Sequence, residues 1–390
     1  MTPPDDPGST TPGGPAPPGK LKRRVIPDPP EMDPSRGRRS FFFVLVLVLA
    51  TALVMGGVLA LNVVADPYGS VGTYLFPTVT TSDRTVKADK IEQLKESPQL
   101  VVLGSSRSMR FEPSYLEEKT GLKTFNAGVN GIGGTADAWA MSQFLHDTMP
   151  DADPAYLWLL DVESFVPFEV GARTAGEPRL AQYVDQASIG KGPREFARAL
   201  WENRSTLFSL DTGWDAARLL LHPKEAATSQ SKYSKRILAD GVLKPRTWSE
   251  KEWKRRWPRS VKRYSDLHKT VFKGLDPTAQ EYFQKTLAFM NQQGQTPVIA
   301  LTPVNPKLRR ILAPLGWTER YEEVVAYVES LRGEHDFVFL DMTDPRVFDF
   351  DRKEWYDGVH MTTVNTRPAI DYILEQTGGL PPVAPPADGE

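Results

Sequence analysis

One segment organises the chain: Gln99-Leu-Val-Val-Leu-Gly-Ser-Ser-Arg-Ser-Met-Arg110. Its first half, Leu100–Leu103, is a short apolar run, a pattern typical of a strand that is buried on both faces. Gly104 ends the run, and serines follow where the strand meets a loop. Ligands bind at the carboxyl ends of strands in open α/β sheets, so the segment predicts that a serine hydroxyl in this loop is presented to a crevice. A serine-capped turn that enters a helix is the alternative.

A second segment, Tyr356-Asp-Gly-Val-His360, places an aspartate three residues before a histidine. A serine hydroxyl becomes a good nucleophile only when a base removes its proton, and that base is oriented by a third group. His360 is the candidate base for such a serine, and Asp357 is the candidate orienting partner. An aspartate that caps a helix near a surface histidine is the alternative.

A glycine-rich segment lies between these two: Phe125-Asn-Ala-Gly-Val-Asn-Gly-Ile-Gly-Gly134. Glycine and asparagine after a short strand let the backbone turn sharply and direct its N–H groups at a ligand. An oxyanion hole needs N–H groups arranged in this way. An ordinary glycine-rich turn is the alternative.

In this order, the three segments resemble the sequence blocks of the SGNH/GDSL hydrolase superfamily. The resemblance implies that Ser106 is the nucleophile, His360 the base and Asp357 its partner. It also implies that the backbone N–H groups of Ser106 and Gly131 stabilise the oxyanion. Asn130 is our own candidate to replace a further donor that the superfamily has and this chain lacks.

The chain departs from the superfamily pattern at two places. Ser105 stands where an aspartate usually precedes the nucleophile, which is similar to some membrane-anchored branches of the superfamily. The block that normally supplies an asparagine to the oxyanion hole should follow residues 156–160, where the chain has Asp161-Val-Glu-Ser164. That donor is therefore missing or replaced.

Arg107, beside the nucleophile, is expected to contact the substrate.

Composition narrows the possible functions. With 390 residues, the chain has room for one large domain and appendages. A net charge of -2 argues against bulk nucleic-acid binding. Cysteine is absent, so disulfides and thiolate chemistry are excluded. No second histidine stands near His360 in sequence, and we predict neither a metal site nor a cofactor.

Both ends of the chain are rich in proline. Residues 1–40 hold eleven prolines and few large apolar residues, and we expect this segment to be disordered. The tail 378–390 holds four prolines and is expected to be disordered as well.

A long apolar run follows the first of these segments. Phe41–Ala65 contains no charged residue, and about 20 such residues suffice for a helix to cross a bilayer. We predict a single-pass transmembrane helix over 41–64. Five basic residues lie between Arg23 and Arg39, whereas none follows the run until Arg84. The positive-inside rule then places the N-terminus in the cytoplasm and residues from 66 onward outside the cell membrane.

The remaining chain alternates strand and helix patterns, which predicts a three-layer α/β/α domain over 66–377 with a mostly parallel, five-stranded sheet. The resemblance implies that this sheet is SGNH-like. Strands are expected near 99–104, 123–126, 155–161, 296–302 and 336–341. Helices are expected near 113–119, 134–147, 277–293, 318–332 and 364–376, with a short one at Ile91–Ser97.

An insertion at 165–275 interrupts this alternation and carries five of the nine tryptophans. Its segment 251–263 mixes seven cations with Trp253 and Trp257. Tryptophan beside Lys and Arg suits lipid headgroups or sugar rings near anionic groups. We expect the insertion to wall the cleft, with these two tryptophans contacting substrate. A solvated basic helix with buried tryptophans is the alternative.

These features favour a membrane-anchored acyltransferase or deacylase that uses an acyl-ester donor and acts on a cell-envelope glycan or polymer. The resemblance extends to membrane-tethered polysaccharide O-acetyltransferases and D-alanyl transfer proteins, and it implies a multi-pass membrane-bound O-acyltransferase as a partner. An esterase or lipase that uses water is one alternative. A non-catalytic protein that binds glycan or a membrane partner is another. Nucleic acid is not an expected partner.

Overall fold

The computed structural model describes residues 34–68, 71, 73, 75–76, 82–131, 134–167, 170–184, 193–222 and 236–380. The chain divides into two compact units, Met1–Val54 and Met55–Glu390. Most of the expected disordered N-terminal segment and nearly all of the expected disordered tail lie outside the described residues.

The first helix, α1, extends over Pro34–Ala65. It begins before the predicted start at Phe41 because no proline interrupts 35–40 and a proline suits the first turn of a helix. Its 27-residue part Arg39–Ala65 is long and apolar enough to cross a membrane.

Five parallel strands form one sheet in the spatial order β2-β1-β3-β4-β5. The α/β class and the five predicted strands are confirmed. The strands are β1 (Leu100–Gly104), β2 (Thr124–Asn126), β3 (Ala155–Leu160), β4 (Val298–Leu301) and β5 (Val338–Asp341).

Helices surround the sheet. After α1, those of the described part are α2 (Asp83–Glu92), α3 (Pro113–Thr120), α4 (Thr135–Thr148), α5 (Ala172–Ala175), α6 (Pro178–Ala181), α7 (Pro193–Glu202), α8 (Arg204–Leu207), α9 (Leu210–Leu221), α10 (Glu250–Asp266), α11 (Pro277–Gln292), α12 (Pro306–Leu312), α13 (Trp317–Ser330) and α14 (Thr363–Thr377).

The helix expected at Ile91–Ser97 instead lies earlier, as α2. Ser82 caps it, because the Ser82 side chain accepts a hydrogen bond from the backbone N–H of Thr85. A serine at this position satisfies an N–H group that the first helical turn leaves unpaired. The sequence prediction missed this capping signal.

Both faces of β1 are buried, as its continuous apolar run predicts. Val101 and Leu103 pack into one hydrophobic cluster, which includes residues of α4, α11 and α13. Leu100 and Val102 pack into a second cluster with residues of α3 and α14. Successive side chains of a strand point to opposite faces, so one strand contributes to both clusters.

The insertion is largely helical in its described part, and a short turn near its middle covers the edge strand β2. The backbone N–H of Asn126 donates to Asp240 O at 2.8 Å. Lys87, which is fully buried, donates to the backbone oxygens of Asn126 and Gly241. Burial lowers the pKa of Lys87 to about 7. The turn and Lys87 together satisfy polar groups that an edge strand otherwise exposes.

The end of the domain differs slightly from the prediction. Gly378 adopts the left-handed conformation that commonly ends a helix, and it closes α14. Leu380 then returns to the second hydrophobic cluster and is buried. The ordered chain therefore continues past residue 377, because an apolar side chain just after the helix finds a place in the core.

Candidate active site

Ser106 lies in a tight turn at the carboxyl end of β1. Gly104 enters the turn with φ of +137°, a conformation that favours glycine, and a Cβ at this position would collide with the backbone oxygen of Leu159. The turn closes where the Ser108 N–H donates to Ser105 O at 3.0 Å and the Ser108 hydroxyl donates to the same oxygen at 2.7 Å. Ser106 is left half-buried at the tip of this turn.

The structure brings the three residues of the expected triad together, although Ser106 and His360 are 254 positions apart. Ser106 Oγ lies 2.8 Å from His360 Nε2. On the other side of the ring, His360 Nδ1 lies 2.9 Å from Asp357 Oδ1 and 2.8 Å from Oδ2. A carboxylate beside Nδ1 fixes the tautomer in which Nδ1 carries the proton and Nε2 accepts from the serine hydroxyl.

Asp357 is held in its ionised form. Burial alone would raise the pKa of its carboxyl, but the charge and hydrogen bond of His360 oppose that effect. The backbone N–H groups of Val359 and His360 also donate to Asp357 Oδ1, each at 3.0 Å. The net result is a pKa well below its ordinary value. This carboxylate is therefore available to orient His360 over the whole neutral range.

Neighbouring elements hold the loop that carries Asp357 and His360. The Asn305 N–H donates to Gly358 O at 3.0 Å, and the Gly358 N–H donates to Ser260 Oγ at 3.3 Å. Ser260 belongs to α10, so the insertion supports the triad directly. Gly358 also packs so closely against Leu308 that no Cβ fits there.

A cluster of buried charges lies beside the nucleophile turn; we call Arg107, Asp161, Glu163 and His268 the buried cluster. The Arg107 guanidinium donates to Glu163 Oε2 at 2.6 Å and lies 3.5 Å from Asp161 Oδ1. His268 Nε2 lies 3.2 Å from Glu163 Oε1. Thr302 completes the network, since its hydroxyl donates to Asp161 Oδ1 at 2.6 Å and accepts from Arg107 at 3.0 Å.

The buried cluster changes our interpretation of Arg107. Its side chain is buried and occupied by carboxylates, and it stacks on Tyr264 with 5.6 Å between Cζ and the ring centre. We had expected Arg107 to contact the substrate because it lies beside Ser106, and this expectation is wrong: the side chain does not face the cleft. Instead it fixes the turn: Ser106 lies between Arg107 and Ser105, and Ser105 Oγ accepts the Arg107 N–H at 3.1 Å.

The two carboxylates of the buried cluster are not equivalent. Burial raises the pKa of a carboxyl, but at Glu163 the charges of Arg107 and His268 outweigh burial and lower the pKa to about 2. At Asp161 burial prevails over the more distant Arg107, and the negative charge of Glu163 adds to it, so the pKa is raised. By distance, Glu163 is the main partner of Arg107, at 2.6 Å against 3.5 Å for Asp161.

The glycine-rich loop runs beside the nucleophile turn, because the Val129 N–H donates to Gly104 O at 3.0 Å. Among the described residues, the backbone N–H groups of Ser106 and Gly131 donate to no other protein group. An oxyanion donor must have no other acceptor, and both N–H groups meet that requirement within the described residues. The Asn130 N–H donates to Asp83, and the Asn130 side chain is exposed. Among the described residues, no hydrogen bond joins Asn130 to Ser106.

A pocket of about 510 Å³ borders the triad loop, and we call it the cationic pocket. Asn305, whose N–H binds Gly358, is part of its wall, whereas Ser106 and His360 are not. Trp257 lies behind Trp253, with 4.9 Å between the stacked rings. The lining residues are Trp253, Asn305, Pro306, Lys307, Arg309, Arg310, Arg346, Phe350 and Arg352.

The charge of the cationic pocket is only partly neutralised. Asp344 pairs with Arg309, at 2.7 Å, and with Arg346. Within the part of the chain that the structure describes, Arg310 and Arg352 form no ion pair. These side chains are exposed and surround a concave surface. The pocket therefore attracts anions.

Sequence reasoning missed Glu163, His268 and most of the cationic pocket. Glu163 was visible only as part of a block that lacks an asparagine, and His268 had no neighbour in sequence to suggest a partner. The described residues hold no group of three or more histidines and carboxylates that suits a metal ion.

We compared the chain with protein-family models and with curated proteins, and neither comparison gave a match. The contacts among Ser106, His360 and Asp357 therefore carry the functional argument.

Proposed function

We propose that this protein is a membrane-anchored serine acyltransferase or deacylase of the SGNH type, which acts outside the cell membrane on a cell-envelope glycan or polymer. Its span Arg39–Ala65 anchors the chain, with the N-terminus in the cytoplasm. The observation that carries the proposal is the chain of contacts from Ser106 Oγ through His360 to Asp357, each 2.8 Å long.

The chemistry follows from these contacts. Ser106 Oγ attacks the carbonyl carbon of an acyl ester while His360 Nε2 accepts the hydroxyl proton. Asp357 stabilises the imidazolium that forms. The N–H groups of Ser106 and Gly131 are the donors for the oxyanion, and each such donor lowers the barrier by roughly 3 kcal/mol. His360 then protonates the departing alkoxide, which leaves an acyl group on Ser106.

The acceptor decides the second half of the reaction. A hydroxyl of the acceptor loses its proton to His360 and attacks the acyl carbonyl, which forms a new ester and frees Ser106. Water in the same place gives a carboxylic acid instead, and the protein is then a deacylase. A multi-pass membrane-bound O-acyltransferase remains our proposed source of the acyl group.

The cationic pocket supports an acceptor that carries negative charge. Trp253 offers an aromatic face of the kind that stacks on sugar rings, and Arg310 and Arg352 offer guanidinium groups for carboxylate or phosphate. An acidic glycan combines both features. Trp253 therefore keeps its proposed role at the substrate site, whereas Trp257 supports Trp253 from behind and does not line the pocket, contrary to our expectation.

The first test is covalent labelling of the full chain in detergent by a serine-directed fluorophosphonate. We expect labelling of the wild type, and its loss in Ser106→Ala and in His360→Ala. Ser108→Ala is the comparison within the same turn: its hydroxyl supports the turn through Ser105 O, so its loss should slow labelling but not abolish it. A wild type that takes no label would contradict an activated serine and would favour a non-catalytic envelope protein.

The second test measures release of acetate from a simple acetyl ester with and without an acceptor. The acceptors are a polyuronate and a neutral glucan of similar length. Faster turnover and acetylation of the polyuronate indicate an acyltransferase with an acidic acceptor. The double variant Arg310→Glu and Arg352→Glu should lose this acceleration but keep its fluorophosphonate labelling. Equal rates under all conditions would indicate a hydrolase.

A further inference from the structure

Helix α9 carries an apolar stripe that no part of the described chain covers. Leu210, Trp214 and Leu221 are 70%, 75% and 74% exposed. With Ala217 they are spaced four, three and four residues apart, so they lie along one face of the helix. Soluble proteins seldom expose a contiguous apolar surface without a partner.

The opposite face of α9 packs against the end of α1. Ala216 and Leu219 are buried in a small cluster with Ala65, and Leu61 packs against it. A Cβ at Gly213 would lie 3.7 Å from Val58. Helix α9 is therefore apolar on two sides, and only one of these sides serves the protein interior.

Polar contacts fix this packing at the start of α9 and near its middle. The Asn62 side-chain amide donates to Leu207 O at 2.7 Å and to Ser209 O at 3.2 Å, just before the helix begins. The Tyr68 hydroxyl donates to the Asp215 carboxylate near the middle of the helix. Asn62 is buried, and its side-chain N–H groups find their acceptors in this joint, whereas Asn62 Oδ1 has no partner among the described residues.

We propose that the exposed stripe of α9, formed by Leu210, Trp214, Ala217 and Leu221, lies in the outer headgroup region of the lipid bilayer beside α1. This inference rests on the proposed membrane span, and it adds a second lipid contact to it. The domain is then held against the membrane by a surface as well as by a tether.

The depth of the contact follows from the length of the span. A helix of 27 residues is about 40 Å long, whereas the hydrocarbon core is about 30 Å thick. Counted from Arg39, about 20 residues fill the hydrocarbon core. The end of the span, at Val58–Ala65, therefore reaches the boundary with the outer headgroups. A helix that packs on this part of α1 meets the bilayer at the same level.

The residues around the stripe suit that level. Tryptophan is enriched where headgroups meet the hydrocarbon, and Trp201 just before α9 is also 68% exposed. Arg204 lies over the Trp201 ring at 4.5 Å, and Arg218 is exposed beside the stripe. Arginine next to such aromatics can pair with lipid phosphates, so a lipid surface fits this face better than an apolar protein groove does.

The absence of cysteine makes a direct test possible, because an introduced cysteine is the only thiol of the chain. We would place the full chain, one copy per nanodisc, in phosphatidylethanolamine and phosphatidylglycerol. Trp214→Cys and Leu221→Cys would carry an environment-sensitive fluorophore on the stripe. Leu53→Cys marks the span, and Glu319→Cys on α13 marks an exposed polar site. Quenching would be compared between lipids brominated near the headgroup and at mid-chain.

We expect the fluorophores at 214 and 221 to lose most of their emission with bromine near the headgroup, the fluorophore at 53 to respond to mid-chain bromine, and the one at 319 to respond to neither. If the fluorophore at 53 is quenched while those at 214 and 221 respond to neither bromine position, like the one at 319, the inference is overturned and the membrane span stands. No quenching at 53 would instead contradict the membrane span itself. An unchanged thermal unfolding midpoint for each variant would exclude misfolding as the cause of either result.

Discussion

The described part of the molecule contains two pairs of a histidine with a carboxylate, and they differ in what the second ring nitrogen meets. In the triad loop, His360 is held by Asp357, and its other nitrogen faces the Ser106 hydroxyl. In the buried cluster, His268 is held by Glu163, and its Nδ1 has no partner among the described residues. The side chain of His360 is 26% exposed and that of His268 is 0% exposed.

The comparison shows that a histidine–carboxylate contact does not by itself indicate catalysis. A general base needs a proton to remove and an opening through which substrate arrives. His360 has both, whereas His268 is enclosed and its carboxylate is shared with Arg107. The first pair is therefore suited to chemistry, and the second is suited to holding the turn that presents Ser106.

The largest expected effect separates the two histidines. His360→Ala should reduce the rate of fluorophosphonate labelling on the order of 10⁴-fold or more, because the base is lost. His268→Ala should leave the labelling rate of the folded fraction within about tenfold, since His268 does not touch the reacting atoms. Labelling rates corrected for folded protein would test this. An equal loss in both variants would contradict the division of roles.

A second expected effect concerns stability. Glu163→Gln leaves the Arg107 charge buried without its main partner, and we expect it to lower the free energy of unfolding by about 3–5 kcal/mol. The matched control is Glu329→Gln, which removes the partner of Arg332 in a half-exposed pair and should cost no more than about 1 kcal/mol. Urea unfolding of the three proteins would measure both. Similar values for the two variants would mean that the buried cluster contributes no more than a surface ion pair.

The smallest expected effect is on the pH dependence of stability. The folded protein lowers the pKa of Glu163 from 4.5 to about 2, so between these values the unfolded chain binds more protons than the folded one. Stability that is present above pH 4.5 is therefore lost as the pH falls toward 2. The slope for one such carboxyl is at most about 1.4 kcal/mol per pH unit.

Asp357 should also contribute to the loss of stability as the pH falls, because its pKa is lowered as well. Glu163→Gln and Asp357→Asn should each make the acid loss of stability less steep, as measured by urea unfolding at several pH values. An effect in Glu163→Gln alone would show that the triad loop opens before its carboxylate titrates.

Local patterns predicted most of the sheet and the triad. The strands were visible as short apolar runs, and Asp357 and His360 are close in sequence, so their contact depends on one turn. The buried cluster was not predictable in this way. Arg107 and Glu163 are 56 positions apart, and Glu163 and His268 are 105 apart. Ser106, and not its neighbour Arg107, faces the cleft because Asp161 and Glu163 hold the Arg107 side chain inside the protein. These carboxylates come close to Arg107 only in the folded chain.

The turn around Gly241 has a consequence for any attempt to shorten this protein. It covers β2, a strand at the edge of the sheet, and a bare edge strand invites pairing with another chain. Removal of 165–275 would also take the Gly241 oxygen from Lys87 and leave a buried ammonium group with fewer acceptors. A version of the domain trimmed to its sheet and helices should therefore aggregate, so expression work has to keep the insertion.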